Sequence, residues 1–301
     1  MSQRLPEWFK QKLPRAGETS TVERLLSQLK LHTVCEGAHC PNMGQCFSRG
    51  TATFMIMGDI CTRNCTFCAV NKGFPPALDP EEPQHVTEAV NQLELNYVVI
   101  TCVTRDDLPD GGATHFSGTI HSLHAKMPSL KVEVLVSDLK GNLESIKTII
   151  AAGPDVFSHN LETVPRLYPQ VRPMAGYRRS LDVLRMAKEC NTQIITKSGL
   201  MLGLGETRDE VIEVMRDLRL SGCDLLSLGQ YLAPSSAHHP VVTFVTPAEF
   251  AEYEQIGLQE GFKGVASAPL VRSSFRAFEL YDRAIKGMNP AEPSNTFVNV
   301  D

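Results

Sequence analysis

The chain lacks the features that mark membrane, secreted or polyanion-binding proteins. Nothing in its 301 residues approaches the roughly 18 consecutive apolar residues that a membrane span requires, so no membrane association is expected. The opening MSQRLPEWFKQKLPR has no apolar h-region of a secretory signal, and a cytoplasmic location is the expectation. Basic charge is in deficit, 29 Lys and Arg against 34 Asp and Glu, for a net charge of -5. The nearest thing to a basic run is the Arg178-Arg179 pair, too small for a nucleic-acid groove or an anionic membrane surface. A G-x-G-x-x-G phosphate loop is also missing from the expected place. The nearest stretch, GLGE, follows the fifth predicted strand rather than the first, so a Rossmann nucleotide site is not expected.

Cysteine, by contrast, is plentiful and crowded. Six of the nine fall between residues 35 and 68. A chain kept in a reducing compartment does not build a disulfide framework, so the crowding reads as metal binding or redox chemistry. CEGAHCPNMGQC holds Cys35, Cys40 and Cys46 at x4 and x5 spacing, whereas CTRNCTFC holds Cys61, Cys65 and Cys68 at x3 and x2. The unlike spacings argue against an internal duplication.

The length and the 42% hydrophobic content suit one α/β barrel with short extensions. Residues 1–50 form an N-terminal extension, in which TSTVERLLSQLKL carries Val22, Leu25, Leu26 and Leu29 at helical spacing behind a Ser/Thr cap. From residue 51, β-rich runs recur: TFMIMG, YVVITCV, KVEVLVS, DVFSHN, QIITKSG and DLLSLGQYL. Helix-length segments alternate with them, several ending in Gly or Asn. Six such units predict a parallel α/β fold, either an open doubly wound sheet or a full or partial barrel. A seventh apolar run, FKGVASAPL, precedes a last helical stretch in the segment 262–301. In both architectures active residues gather at the C-terminal ends of the strands. CTRNCTFC, TRDDLPDGG, SHNLE, GLGE and GQYLAPSS all fall there.

Closely spaced thiolates suit zinc or an iron–sulfur cluster. Zinc sites pair C-x2-C with a second such pair or with two His, and CTRNCTFC has no matching partner downstream. Three cysteines on one loop can hold three irons of a cubane and leave the fourth open. For CEGAHCPNMGQC two readings stand, a second cluster or a zinc knot completed by His32 or His39.

The C-x3-C-x-Φ-C spacing, with Phe67 before the last cysteine, resembles the signature of radical S-adenosylmethionine enzymes. Two three-cysteine motifs in this order, with RSSF near the C-terminus, resemble the lipoyl synthase family. TVCEGAHCPN, TRDDLPDGGATHF, HNLETVPRLYPQVRP, SGLMLGLGE, GQYLAPS and VRSSFRAF extend the match over residues 7–288. The resemblance implies a partial (βα)6 TIM-type barrel over residues 51–261, with a C-terminal extension over 262–301 that supplies a serine ligand. It implies two [4Fe-4S] clusters, a radical-generating one on Cys61, Cys65 and Cys68 and an auxiliary one on Cys35, Cys40, Cys46 and Ser274.

The implied activity is insertion of two sulfur atoms at C6 and C8 of a protein-bound octanoyl chain. It would consume two S-adenosylmethionine molecules and the sulfur of the auxiliary cluster. The implied partners are an octanoylated lipoyl carrier domain or a glycine-cleavage H-type protein, and a one-electron donor such as ferredoxin or flavodoxin. Phe67, Thr104, Asn160, Glu162, Arg178, Lys197 and Gln230 are the candidate contacts to S-adenosylmethionine or substrate, chosen for their places at or beyond strand ends. Two positions depart from the family pattern: Phe275 lacks the expected aromatic hydroxyl, and Gln45 stands where an acid precedes the third cysteine. Other readings are another two-cluster radical enzyme, such as a methylthiotransferase, or a non-catalytic zinc protein. Cys102, Cys190 and Cys223 read as small buried hydrophobes, and His238-His239 as part of a solvated loop.

Overall fold

The computed structural model describes residues 4–11, 15 and 17–286. Parts of the expected extensions, including residues 287–301, lie outside the described residues. In chain order the main elements are α1 (Ser20–Gln28), β1 (His32–Thr33), α2 (Val34–Gly37), α3 (Met43–Ser48), β2 (Thr53–Ile56), β3 (Ile60–Cys61), β4 (Asn71–Lys72), α4 (Glu82–Gln92), β5 (Tyr97–Cys102), α5 (Ala113–Lys126) and β6 (Lys131–Leu135). There follow α6 (Leu143–Ala151), β7 (Val156–Ser158), α7 (Tyr168–Val171), α8 (Tyr177–Cys190), β8 (Ile195–Leu202), α9 (Arg208–Leu220), β9 (Leu225–Gln230), α10 (Pro247–Gln259), β10 (Gly264–Ser267) and α11 (Ala277–Lys286).

Seven strands, β2 and β5 through β10, pair in parallel and in sequence order. The two-residue β1 adds antiparallel to β2. The sheet is open between β1 and β10, so the barrel is partial. The seventh apolar run supplies β10, which pairs with β9 from Gly264↔Leu225 to Ser267↔Leu228.

The core divides along the sheet into clusters of strand residues with the helices that cover them. Phe54, Ile56, Val98, Ile100, Val132, Val134 and Phe157 pack with α4, α5 and α6, whose apolar faces repeat at helical spacing. A second set, including Leu200, Leu202, Leu226 and Leu228, packs with α8, α9 and α10. A third lies at the N-terminal ends of the strands, where Val156, Ile195, Leu225 and Ala266 meet Leu280 of α11.

Helix starts follow ordinary capping chemistry. Thr207 and Thr246 each close a capping box with a glutamate three residues on. α1 forms where its periodicity predicts, but its N-cap Thr19 makes no side-chain capping bond. Val22, Leu25 and Leu26 are buried, and their packing stabilises the helix instead.

Candidate active site

CTRNCTFC leaves β2 through the short parallel ladder of β3 and β4, with Gly73 N–H donating to the Cys61 carbonyl at 3.0 Å. Its three cysteines are free and half-buried. The loop is tied to its neighbours at several points. Thr62 donates through both its N–H and its hydroxyl to the Thr104 carbonyl, at 3.0 and 2.9 Å, and its hydroxyl accepts from Asp106 N–H at 3.0 Å. Thr66 N–H donates to Val171 at 3.0 Å and its hydroxyl to Gln170 at 2.8 Å, while its carbonyl accepts from His239 N–H at 3.0 Å. Arg63 forks onto Asp106 at 2.7 and 2.9 Å and reaches Asp138 at 2.6 Å, and Asp138 also accepts from Arg179 at 2.7 Å.

Asp138 is fully buried, and burial alone would raise its pKa. The Arg63 hydrogen bond and charge, helped by the Arg179 charge, together outweigh that and hold the carboxyl well below the usual range. In the cysteine loop the Arg172 and Arg63 charges offset the loss of solvent at Cys65 only in part. Burial raises the Cys65 thiol and lifts Cys68 to about 11. These thiols are protonated near neutrality, and a bound metal must displace the protons.

The first triplet lies on α2, α3 and the turn between them, where Cys40 N–H donates to the Cys35 carbonyl at 2.9 Å and Cys46 N–H to that of Asn42 at 2.9 Å. Cys35 is buried, and burial raises it to about 11 and Cys46 to about 12. Asn42, 1% exposed, donates its amide to the Leu270 carbonyl at 2.7 Å. That bond seats the cysteine turn on the segment that leads into RSSF. Arg272 lies within electrostatic reach of both Cys40 and Glu162, and Glu162 within reach of Cys65 and Cys68. Ser273 Oγ donates to Asn160 Oδ1 at 3.1 Å, and Asn160 Nδ2 to Glu162 Oε1 at 3.0 Å. The segment closes onto β9 at Gly229, where a Cβ would stand 1.9 Å from the Val271 carbonyl oxygen. Both cysteine loops and residues 270–275 therefore meet at the C-terminal ends of β7 and β9.

Among the described residues, no three Cys, His, Asp or Glu side chains converge closely enough to hold one metal ion. Tetrahedral zinc, with Zn–S near 2.3 Å, needs sulfurs about 3.8 Å apart. His32 and His39, the imagined fourth ligands, are both exposed. A cubane takes each thiolate on a different iron and accepts a wider spread, so free, desolvated cysteine triplets suit it better.

The other expected contacts divide. Phe67 packs from its place in the loop against the core cluster shared by β8, β9 and helices α8 to α10, and Thr104 offers its carbonyl to that loop. Asn160 and Glu162 sit on the rim. Glu162 holds a left-handed backbone (φ 66°), and burial raises its pKa. Arg178 is exposed on the first turn of α8. Ser274 is half-buried beside Ser273. Gln230 ends β9 as expected, but its amide donates to the Tyr231 and Thr243 carbonyls at 3.0 Å each and accepts from Val245 N–H at 2.8 Å.

The placing of Lys197 differs from the expectation. It is the third residue of β8, not its end, and its side chain is fully buried. Nζ pairs with Glu133 at 2.9 and 3.2 Å, and Glu133 accepts also from Tyr97 at 2.6 Å and Ser158 at 2.9 Å. The Tyr97 ring packs on Phe278 and Tyr281 of α11, at the end of the barrel away from the cysteines. His238-His239 also departs from a solvated loop: both are half-buried, and His239 Nε2 bonds the Leu204 carbonyl at 3.0 Å. Glu206 of GLGE is turned back onto its own loop, accepting from Gly203 and Leu204 N–H.

Sequence reasoning missed Arg63, Asp138, Arg172 and His159. Arg172 donates to the Asn160 and Leu161 carbonyls at 2.9 and 3.0 Å and lies over the Tyr168 ring. His159 donates from Nδ1 to Val136, and its buried Nε2 has no partner. Both stand in HNLETVPRLYPQVRP, and Arg63 stands between two cysteines, but only the fold brings their partners near.

The Radical SAM superfamily model matches residues 55–218, more than half of the chain. Among solved structures the fold is similar to methylornithine synthase PylB (TM-score 0.55, 14% identity, covering 95% of this chain and 96% of that one). It is also similar to HydG, a maturase of the [FeFe]-hydrogenase (TM-score 0.54, 13% identity, covering 82% and 65%). An open parallel barrel with three free cysteines on the loop after its first strand makes this chain a member of the radical SAM superfamily, which uses S-adenosylmethionine and a [4Fe-4S] cluster.

The N-terminal domain model of lipoyl synthase matches residues 1–40. Lipoyl synthase of Caldanaerobacter subterraneus subsp. tengcongensis is 57% identical over 277 residues, 92% of this chain and 97% of the relative. That of Caldicellulosiruptor bescii is 56% identical, covering 90% and 94%, and that of Thermus thermophilus 51%, covering 92% and 86%. The chain belongs to the lipoyl synthase family of sulfur-inserting radical enzymes.

Proposed function

We propose that Cys61, Cys65 and Cys68 hold the radical-generating [4Fe-4S] cluster, and that Cys35, Cys40, Cys46 and Ser274 hold a second one whose sulfur is consumed. The observation that carries this is the Asn42–Leu270 hydrogen bond. It draws RSSF to the first triplet across more than two hundred residues of chain. The substrate is an octanoyl chain on the lysine of a lipoyl carrier domain or an H-type protein, converted at C6 and C8. A donor of the ferredoxin or flavodoxin type supplies electrons.

When bound, the cluster and S-adenosylmethionine supply a deoxyadenosyl radical able to break an unactivated C–H bond, which no side-chain acid or base can do near neutral pH. The protein's share is orientation and dryness. Asn160, Glu162, Arg172 and Arg272 present hydrogen-bonding and charged groups between the two cysteine loops. Thr104 contributes its carbonyl to the seating of the radical loop, and Phe67 its ring. Arg178 faces solvent, where a protein-borne substrate arrives. A hard serine oxygen on iron is released more readily than a thiolate, which suits a cluster that must be dismantled.

Domain limits at residues 50 and 261 separate the two ligand-bearing extensions from the barrel, although β10 completes the sheet beyond the second limit. Among the described residues no helix is long and apolar enough to cross a membrane.

The test is anaerobic incubation with octanoylated carrier, S-adenosylmethionine and reductant, followed by mass spectrometry of the carrier. A gain of two sulfurs is expected. Cofactor cleavage without that gain refutes this reading in favour of another two-cluster radical enzyme. Ser274→Ala is expected to keep cofactor cleavage and lose sulfur insertion; equal loss of both refutes the role of Ser274.

A further inference from the structure

Arg63 lies between two of the three cysteines of the radical loop, yet its side chain points away from solvent and is 6% exposed. The other ties on that loop involve backbone groups or short hydroxyls: Thr62 with Thr104, and Thr66 with Gln170, Val171 and His239. Arg63 alone reaches two further loops by a charged fork. Nε and one terminal nitrogen take both oxygens of Asp106, on the loop after β5, and the same terminal nitrogen takes Asp138, beyond β6. Asp138 passes the contact on to Arg179 in the first turn of α8. Two arginines and two aspartates thus form a lattice of zero net charge. The three bonds that Arg63 makes in it act directly on the geometry of the loop.

The chemistry explains why arginine stands here. The planar guanidinium offers donors at fixed angles, so three bonds to two carboxylates define both the position and the orientation of the chain that carries it. Lysine, a point charge on a flexible stem, cannot define both. Charges this deeply buried persist only while paired, so the lattice has one good arrangement rather than many.

We propose that Arg63 is a positioning residue that sets the three-cysteine loop, before any cluster is installed, in the conformation that receives the cluster and S-adenosylmethionine. This rests on the assignment of Cys61, Cys65 and Cys68 as ligands. Asp138 is its anchor and acts through it. The loop needs such a lock because Asn64, the next residue, is exposed, and the sulfurs of Cys61 and Cys68 are held only by single backbone groups, of Arg63 and Val70.

The test uses the full chain without iron, with each cysteine alkylated by a maleimide and followed by mass spectrometry. In Arg63→Lys and Arg63→Gln, Cys61, Cys65 and Cys68 are expected to react roughly ten times faster or more, since losing a charge-assisted bond shifts the local opening equilibrium that exposes these half-buried thiols by at least that factor. Cys35, Cys40 and Cys46, seated on Leu270 instead, are expected to keep their rates. In the reconstituted protein the KM for S-adenosylmethionine cleavage is expected to rise by a similar factor, with kcat less affected. Lysine is expected not to rescue.

Wild-type rates and KM in Arg63→Lys overturn the proposal. So does equal acceleration at all nine cysteines with a fallen melting temperature, which marks general loosening. Asp138→Asn, isosteric and keeping the Asp106 fork, gives the same reading if Arg63→Gln fails to fold. Failure of the ligand assignment is separate. It appears as undiminished iron at this site in a Cys61→Ala, Cys65→Ala, Cys68→Ala variant, while the alkylation rates still report the lock.

Discussion

Gly229→Ala offers a sharp test of how the C-terminal segment is seated. Gly229 lies in β9 with every neighbour in the strand buried. A Cβ built on it stands 1.9 Å from the Val271 carbonyl oxygen and 2.9 Å from its carbon, whereas Cβ contacts under 3.0 Å are essentially never found. The obstacle is backbone, so no rotamer change relieves it. Either β9 or residues 270–272 must move by about an ångström. β9 is held on both sides by parallel ladders to β8 and β10, so the segment is what yields. The strain is of the order of 1–3 kcal/mol, as for other overpacked sites. For a domain of this size that lowers the melting temperature by several degrees.

The larger effect falls on function, because Ser274 lies three residues beyond Val271, and a misplacement of about 1 Å can cost on the order of a hundredfold in rate. Sulfur insertion, read as carrier mass, is expected to drop by about that factor. S-adenosylmethionine cleavage, seated on the other loop, is expected to fall far less. Full sulfur insertion with an unchanged melting temperature would refute the reasoning, since it means the segment is not pressed against β9.

Two further outcomes follow from buried charge. Lys197→Met leaves Glu133, itself 1% exposed, with only the Tyr97 and Ser158 hydroxyls. A loss of roughly 3–5 kcal/mol in urea denaturation is expected, with the KM for S-adenosylmethionine unchanged in the folded fraction; a raised KM at wild-type stability would return Lys197 to the cofactor site. Burial, aided by the Arg172 charge, pushes His159 down to about 4 from its ordinary 6.5. Between those values the unfolded chain binds the proton first, so stability is full above about pH 6.5 and falls towards pH 4, by at most about 3 kcal/mol. Urea midpoints between pH 7 and 4.5 should fall more steeply for wild type than for His159→Gln, and parallel slopes would contradict the assignment.

The residues proposed to bind were far more legible than the residues that hold them. Cysteine spacing is a local property, and three thiols within eight residues, or within twelve, stay near one another whatever the fold, so both triplets could be read directly. The strands were legible too, because each is an apolar run of the right length between helix-length segments, several of them ending in Gly or Asn. Lys197 was misplaced because strand ends cannot be read to a residue from such runs; β8 continues to Leu202, past the Gly that seemed to end it. His239 looked like loop, since nothing in GQYLAPSSAHHP shows that its N–H finds Thr66.

By itself, then, the sequence determined the candidate chemistry: which thiols are offered, in which order along a parallel α/β chain, and the RSSF segment proposed to answer them. The tertiary structure decided which distant groups meet. Asn42 finds Leu270, Arg63 finds Asp106 and Asp138, and Gly229 admits Val271. These pairings depend on the parallel order of the strands, which brings one end of every βα unit to a common rim. No local pattern of residues encodes that proximity.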